Sequence, residues 1–155
     1  MKKTSFVIGI MFAVSCASAW GQTGDTGVGI IAGEPTGLSV KHFIDQRAAV
    51  DAGLAWSFSE DGDLHVHADY LLHNRSFLQR ELNVQTKRLS LYYGIGGRIR
   101  TDDDTRVGVR FVLGTAYDFN VAPFDAFFEL VPVMDLAPDT DLDLNAGLGF
   151  RFWFR

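Results

Sequence analysis

From about Thr26 onward, apolar residues alternate with small or polar ones at a period of two. Residues 48–58 set Ala48, Val50, Ala52, Leu54, Trp56 and Phe58 against Ala49, Asp51, Gly53, Ala55 and Ser57. Residues 89–99 set Leu89, Leu91, Tyr93, Ile95, Gly97 and Ile99 against Ser90, Tyr92, Gly94, Gly96 and Arg98. Residues 107–117 do the same with Val107, Val109, Phe111, Leu113, Thr115 and Tyr117 against Gly108, Arg110, Val112, Gly114 and Ala116. The last run places Leu142, Leu144, Ala146, Leu148, Phe150, Phe152 and Phe154 opposite Asp143, Asn145, Gly147, Gly149, Arg151 and Trp153. A strand sends successive side chains to opposite faces, so alternation this long predicts strands rather than helices.

Clusters rich in Gly, Pro, Asp and Asn punctuate the runs at 34–37, 45–47, 59–63, 101–105, 120–123 and 137–141, and a longer polar connection covers 74–87. About eight strands in up-and-down order follow from counting runs between turns. The chain of 155 residues suits one domain of that kind. Pro132 falls inside the seventh run. It has no N–H to give a ladder, so a bulge or local break is expected there.

Periodicity does not say which face is inside, but volume does. An eight-stranded barrel encloses a space that side chains just fill, and roughly thirty large apolar residues are too many for it. The opposite face is mostly Gly, Ala and Ser, with Lys41, Asp51, Asp69, Arg98, Arg110, Glu129, Asp143 and Arg151 among them. Small residues beside long charged ones fit a narrow lumen. The expected fold is therefore all-β, an eight-stranded antiparallel up-and-down transmembrane β-barrel, apolar face outward. Runs of about ten residues match the length that crosses a bilayer when tilted, and closure leaves no unpaired edge in lipid. Trp56, Phe58, Tyr117, Phe119, Phe124, Phe152 and Phe154 lie near run ends, where aromatic girdles form at both interfaces.

The N-terminus agrees with export. Lys2 and Lys3 precede the apolar run Ser5–Val14, and Ala17-Ser18-Ala19 has the small-x-small form of a cleavage site. Residues 1–19 read as a secretory signal peptide and 20–155 as the barrel domain. A lipoprotein reading would instead cut before Cys16, but Ala13-Val14-Ser15 is a poor match to that motif. Cys16 is the only cysteine, so cleavage after Ala19 leaves a mature chain without thiol chemistry. The net charge of −5 argues against nucleic acid as a partner.

The segment Leu148-Gly149-Phe150-Arg151-Phe152-Trp153-Phe154-Arg155 resembles the C-terminal strand of the OmpA/OmpX-type small outer-membrane barrels of Gram-negative bacteria. That family usually ends on Phe, and here Arg155 follows. The resemblance implies an outer-membrane location, contact with outer-membrane lipid and lipopolysaccharide, and recognition of the last strand by the assembly machinery. Gly33-Glu34-Pro35-Thr36-Gly37-Leu38-Ser39-Val40-Lys41 is also similar to a bacterial family of small barrels of unknown function. This second likeness implies no activity.

Candidate chemistry is sparse. In Leu64–His73 the residues His65, His67, Asp69 and His73 share the lumenal face. His65 and His67 could both ligate a metal, but a third ligand cannot be identified from spacing. Polar lumen residues that exchange hydrogen bonds are the simpler reading, with no metal and no cofactor. Lys41 and Asp51 can approach diagonally across a tight turn, while Arg98, Arg110 and Arg151 have Asp69, Glu129 and Asp143 as partners. Buried charges must pair, so the lumen is expected to be plugged.

Glu34, Glu60, Asp61, Asp63, Asp102, Asp103, Asp104, Asp139 and Asp141 fall in the turns of one end. They form an acidic rim expected to face outside, where Ca²⁺ or an unknown basic surface partner could bind weakly. Asp in turns also has a purely local role. No G-x-S-x-G is present, and Gly94-Ile95-Gly96-Gly97 lies within a strand without a following helix. The expected role is non-enzymatic, in envelope structure or surface interaction. The alternatives are a lipid A-modifying outer-membrane enzyme, using Ser57 or Ser90 with the histidines, and a soluble periplasmic barrel holding an apolar ligand.

Overall fold

The computed structural model describes residues 24–56, 63–74, 76–81, 88–101, 104–119 and 122–154. The predicted signal peptide and Cys16 lie outside them, as do Ser57, Phe58, Glu60, Asp61, Asp102, Asp103 and Arg155. Eight strands and one short helix follow in chain order: β1 (Thr26–Gly33), β2 (Gly37–Phe43), β3 (Ala48–Trp56), β4 (Leu64–Asn74), α1 (Phe77–Glu81), β5 (Leu89–Thr101), β6 (Thr105–Asp118), β7 (Phe124–Ala137) and β8 (Asp141–Phe154). Each strand pairs antiparallel with its sequence neighbours, and β8 closes on β1. The all-β, up-and-down barrel expected from alternation is the observed fold.

The pairing registers fix the barrel's shape. One line of directly opposed residues runs Gly27, Lys41, Asp51, Asp69, Gly96, Arg110, Val133, Asp143 from β1 round to β8. Gly27 itself pairs with Trp153 across the closing seam. The line thus arrives at β8 ten residues from Gly27's partner, the difference between 153 and 143. With eight strands about 4.8 Å apart and a rise of about 3.3 Å per residue, that stagger tilts the strands by about 40°.

The tight turns are built locally. Gly33 has φ 137°, a region that side chains disfavour, and Thr36 Oγ1 both accepts from its N–H at 3.0 Å and donates to its C=O at 2.9 Å. Asn74 Oδ1 accepts the N–H groups of Ser76 and Phe77 at 3.1 and 2.9 Å, which caps the start of α1. This single turn of helix lies in the stretch expected to be a plain polar connection. It stands at the same end of the barrel as β1's start and β8's finish.

Pro132 meets the expectation in part, with a local break in the ladder on one side and no bulge. β7 is continuous through it, and Pro132 pairs with Leu144 of β8. On the β6 side the ladder stops at Arg110–Val133 and resumes at Leu113–Leu130 in the same register. The missing N–H removes a rung and leaves the register intact. The register shift lies elsewhere, between Val107 and Gly108.

Side chains divide as the volume argument required. Leu54 and Phe150 point outward and are exposed, Val109 is half-buried on the same face, and the charged set points inward. Among the described residues most large apolar side chains point outward, and a smaller buried cluster that includes Ile31, Leu71, Val112, Phe127, Val131 and Val133 lies inside. Outward aromatics gather at one end, where Tyr117–Phe119, Phe124–Phe152 and Phe152–Phe154 rings stand 5.3, 5.2 and 5.0 Å apart. Of the aromatics expected at the opposite interface, Trp56 is described and exposed.

Candidate functional site: the polar lumen

The staggered registers stack inward side chains into rows. The first row carries Lys41, Asp51, Asp69, Arg110 and Asp143. The row beside it runs Gly29, Ser39, Gly53, His67, Arg98, Gly108, Asp135, Asp141. Glycines in these rows and in the row of Tyr92 and Glu129 make room for large neighbours. A Cβ on Gly53 would run into the His67 imidazole, and one on Gly114 would meet the Tyr92 ring.

Three ion-paired groups result. Arg151 donates from Nη1 to Asp51 Oδ2 at 2.8 Å and from Nε to Asp125 Oδ1 at 3.3 Å, with its guanidinium 3.7 Å above the Phe127 ring. Lys41 stands directly opposite Asp51 rather than diagonal to it; its Nζ lies 3.5 Å from Asp51 Oδ2 and 3.9 Å from the Tyr92 ring centre. Nearer the acidic end, Arg110 Nε donates to Asp69 Oδ1 at 3.0 Å. Arg98 donates to Asp135 through Nε at 3.0 Å and Nη2 at 2.7 Å, and to Asp143 through Nη2 at 2.8 Å.

The predicted lumen set is therefore inside, but its pairing differs in part. Arg110–Asp69 and Arg98–Asp143 match expected partners. Asp125 and Asp135 do not appear in the predicted set, though each takes a principal bond from an arginine. Glu129 accepts from the Tyr92 hydroxyl at 2.7 Å, in place of an arginine. Four buried cations, Lys41, Arg98, Arg110 and Arg151, meet five buried carboxylates, Asp51, Asp69, Asp125, Glu129 and Asp135, with Asp143 half-buried beside them. Charges taken from water persist only when paired, and here each carboxylate has a donor from a different strand.

The histidines have separate settings. His65 and His67 are buried, their rings edge-to-face at 5.5 Å, and His67 Nε2 is 4.0 Å from Asp69 Oδ2. His73 lies at the other end, between Phe43 at 4.7 Å and Tyr92 at 4.9 Å, with Trp153 next to Phe43 at 5.4 Å. This aromatic layer lies in the lumen beneath Lys41 and Arg151. Among the described residues, no three His, Cys, Asp or Glu side chains converge as metal ligands. Ser90 Oγ donates to the Ala116 carbonyl at 3.5 Å.

Of the acidic rim, Glu34, Asp63, Asp104, Asp139 and Asp141 are described. Asp63 Oδ2 is 3.7 Å from Arg100 Nη2, and Asp141 Oδ1 accepts the N–H of Leu142 at 2.9 Å. These two acids thus have local roles, one in a half-buried ion pair and one capping a strand end.

No protein-family model matches the chain, and no curated protein matches it. Among solved structures it is similar to the N-terminal β-barrel domain of Pseudomonas aeruginosa OprF, with a TM-score of 0.58 and 14% identity over 85% of this chain and 97% of that one. At this identity the likeness concerns the fold, a closed eight-stranded barrel of the OmpA/OmpX type. The second likeness, at Gly33–Lys41, gains no support from the family comparison.

Proposed function

We propose that this chain is an integral outer-membrane barrel with a plugged polar lumen, non-enzymatic, with a role in envelope structure or surface interaction. The observation that carries the reading is the inversion of the fold. Thirty large apolar side chains are exposed among the described residues, while four cations and five carboxylates are buried. A water-soluble protein of this size rarely leaves an apolar patch larger than a few hundred Å² uncovered. Lipid is the environment in which this outer face costs nothing, and a closed barrel is one of two folds that satisfy the backbone there. The fold shared with the OprF domain supports the same location.

On this reading, outer-membrane lipid and lipopolysaccharide cover the outer face. The acid-bearing turns lie outside the cell, and the chain ends and α1 lie on the periplasmic side. The alternating strand at Leu148–Phe154 is the recognition element for assembly. The salt-bridged rows and the aromatic layer plug the lumen. Two measurements test the proposal. Membrane fractionation with carbonate washing should leave the protein in the membrane, and its gel mobility should change on boiling. Planar-bilayer recording of the purified protein should show no steady conductance. Full recovery in the soluble periplasmic fraction overturns the location, and large stable currents overturn the plug.

A further inference from the structure

The barrel wall is uneven in height. β1 and β2 have eight and seven residues, whereas β7 and β8 have fourteen each. Pairing of β8 with β1 ends at Gly33–Gly147, and one bond follows, from Glu34 N–H to the Ala146 carbonyl at 2.9 Å. Among the described residues, β8 beyond Ala146 continues to Asp141 with β7 on one side only.

The register identifies which backbone groups this leaves. In an antiparallel strand the N–H and C=O of one residue point to the same side, and successive residues alternate. Ala146 bonds toward β1, while Trp153 N–H bonds to the Pro123 carbonyl on the β7 side. Even-numbered residues of β8 therefore face the β1 side, where β1 has already ended. Leu142 N–H is taken by its neighbour Asp141. The Leu142 carbonyl and both backbone groups of Leu144 remain along the edge. The side chains of Leu142 and Leu144 are 75% and 69% exposed, the highest values among the large exposed apolar side chains described.

The charges of the two segments that border this notch have one sign, and Asp143 among them also accepts from Arg98. Glu34, Asp139 and Asp141 are exposed and Asp143 is half-buried, and neither 33–40 nor 138–150 contains Lys or Arg. A second copy does not fit. Two copies in one membrane point the same way, and a two-fold axis along the membrane normal would set one barrel's outer face beside the other's lumenal face. That step alone rests on the membrane reading above.

We propose that the β8 edge at Leu142–Leu144 is a docking strand. Its occupant is an extended polypeptide segment in which apolar residues alternate with lysine or arginine, added antiparallel to β8 above the β1–β2 turn. Its apolar side chains continue the outward row of Leu142 and Leu144, and its basic ones face the row of Asp141 and Asp143, the latter shared with Arg98. Backbone bonds supply the attachment and the alternating side chains the selectivity.

The test uses the full chain refolded in detergent micelles and a seven-residue probe peptide, Lys-Val-Lys-Val-Lys-Val-Lys with blocked ends. Amide exchange is read residue by residue, and protected amides along the β1–β8 seam report that the barrel is folded. The probe should slow exchange at Leu144 by about tenfold or more, the loss of one hydrogen-bonded opening being worth about that factor. N-methylation of the valines, whose N–H groups face β8, should abolish the effect. N-methylation of the lysines, whose N–H groups face away, should preserve it. A probe with Glu in place of Lys should not bind. No slowing at Leu144, equal binding by both methylated probes, or any other methylation pattern overturns the proposal. So does a dimer in sedimentation that the probe dissociates, which would make a second copy the occupant. Fractionation, not this assay, decides the membrane location, so the two readings can fail separately.

Discussion

Arg151 on the last strand reaches Asp51 on the third, Nη1 to Oδ2 at 2.8 Å, joining residues a hundred positions apart across the closing seam of the barrel. The same guanidinium serves Asp125. Replacing it by methionine keeps much of the side-chain volume but takes the arginine from buried Asp125 and leaves buried Asp51 to Lys41 alone. Arg151→Met should therefore destabilise the folded barrel by about 3–5 kcal/mol, measured by urea titration of the heat-modifiable gel band. Adding Asp51→Asn should recover part of that loss, a coupling of about 0.5–3 kcal/mol for residues in one network. Strict additivity would mean that the two groups do not act on each other.

Small residues in the lumen rows carry a second expectation. Gly53 stands opposite His67, and a methyl group there would occupy the space of the imidazole. Gly53→Ala should cost about 1–3 kcal/mol through overpacking. In a His67→Ala background the cost should vanish, because the obstructing ring is gone. If Gly53→Ala costs as much without His67 as with it, the row does not interlock as described.

The closed barrel, its strand order and its inward charges were legible from the sequence because one rule, alternation at period two, governs them all. Pairing inside the lumen was less so. Arg98 meets Asp135 over Gly108 of the intervening β6, because the β5–β6 and β6–β7 registers set the three in one row, and no local pattern states those registers. Asp125 and Asp135 do have a sequence signal. They share the odd-numbered face of the seventh run with Glu129, and following the alternation through Pro132 would have placed them in the lumen. Pro132 was expected to disturb the run, yet its outward position and missing N–H cost one rung toward β6 without reversing the faces. The uneven height of the wall is not written in the run lengths, which do not reveal where β8 outlasts β1.

Asp45 gives a pH expectation outside the spanning strands. Its Oδ1 accepts the N–H of Arg47 at 2.7 Å and that of Ala48 at 2.8 Å. These bonds, the Arg47 one foremost, favour the charged carboxylate and lower its pKa below the ordinary 3.8. A depressed folded-state value means that the turn's contribution is present above the unfolded carboxyl's pKa and is lost as pH falls through the lower folded value. Carbon-detected NMR should show Asp45 titrating below a free aspartyl peptide. In Asp45→Ala the acid-range slope of stability should flatten. Titration of Asp45 at or above the peptide value would mean that the turn bonds do not persist in solution.

The last expectation separates lipid from water as the medium around the barrel. Leu148 is exposed at mid-length of β8, and Phe154 is exposed at its end. Neither fills the lumen, so replacing either by arginine leaves the inner packing untouched. On a surface facing water both changes should fall within about ±0.5 kcal/mol. In a bilayer the cost depends on depth, about 2–4 kcal/mol at the midplane and about 0–1 kcal/mol near an interface. Leu148→Arg should thus be strongly destabilising and Phe154→Arg nearly neutral when folding is measured into lipid vesicles. The difference should shrink in vesicles of shorter acyl chains, which bring the midplane closer to water. Small and equal effects at both positions would place this face in water and remove the ground for an outer-membrane barrel.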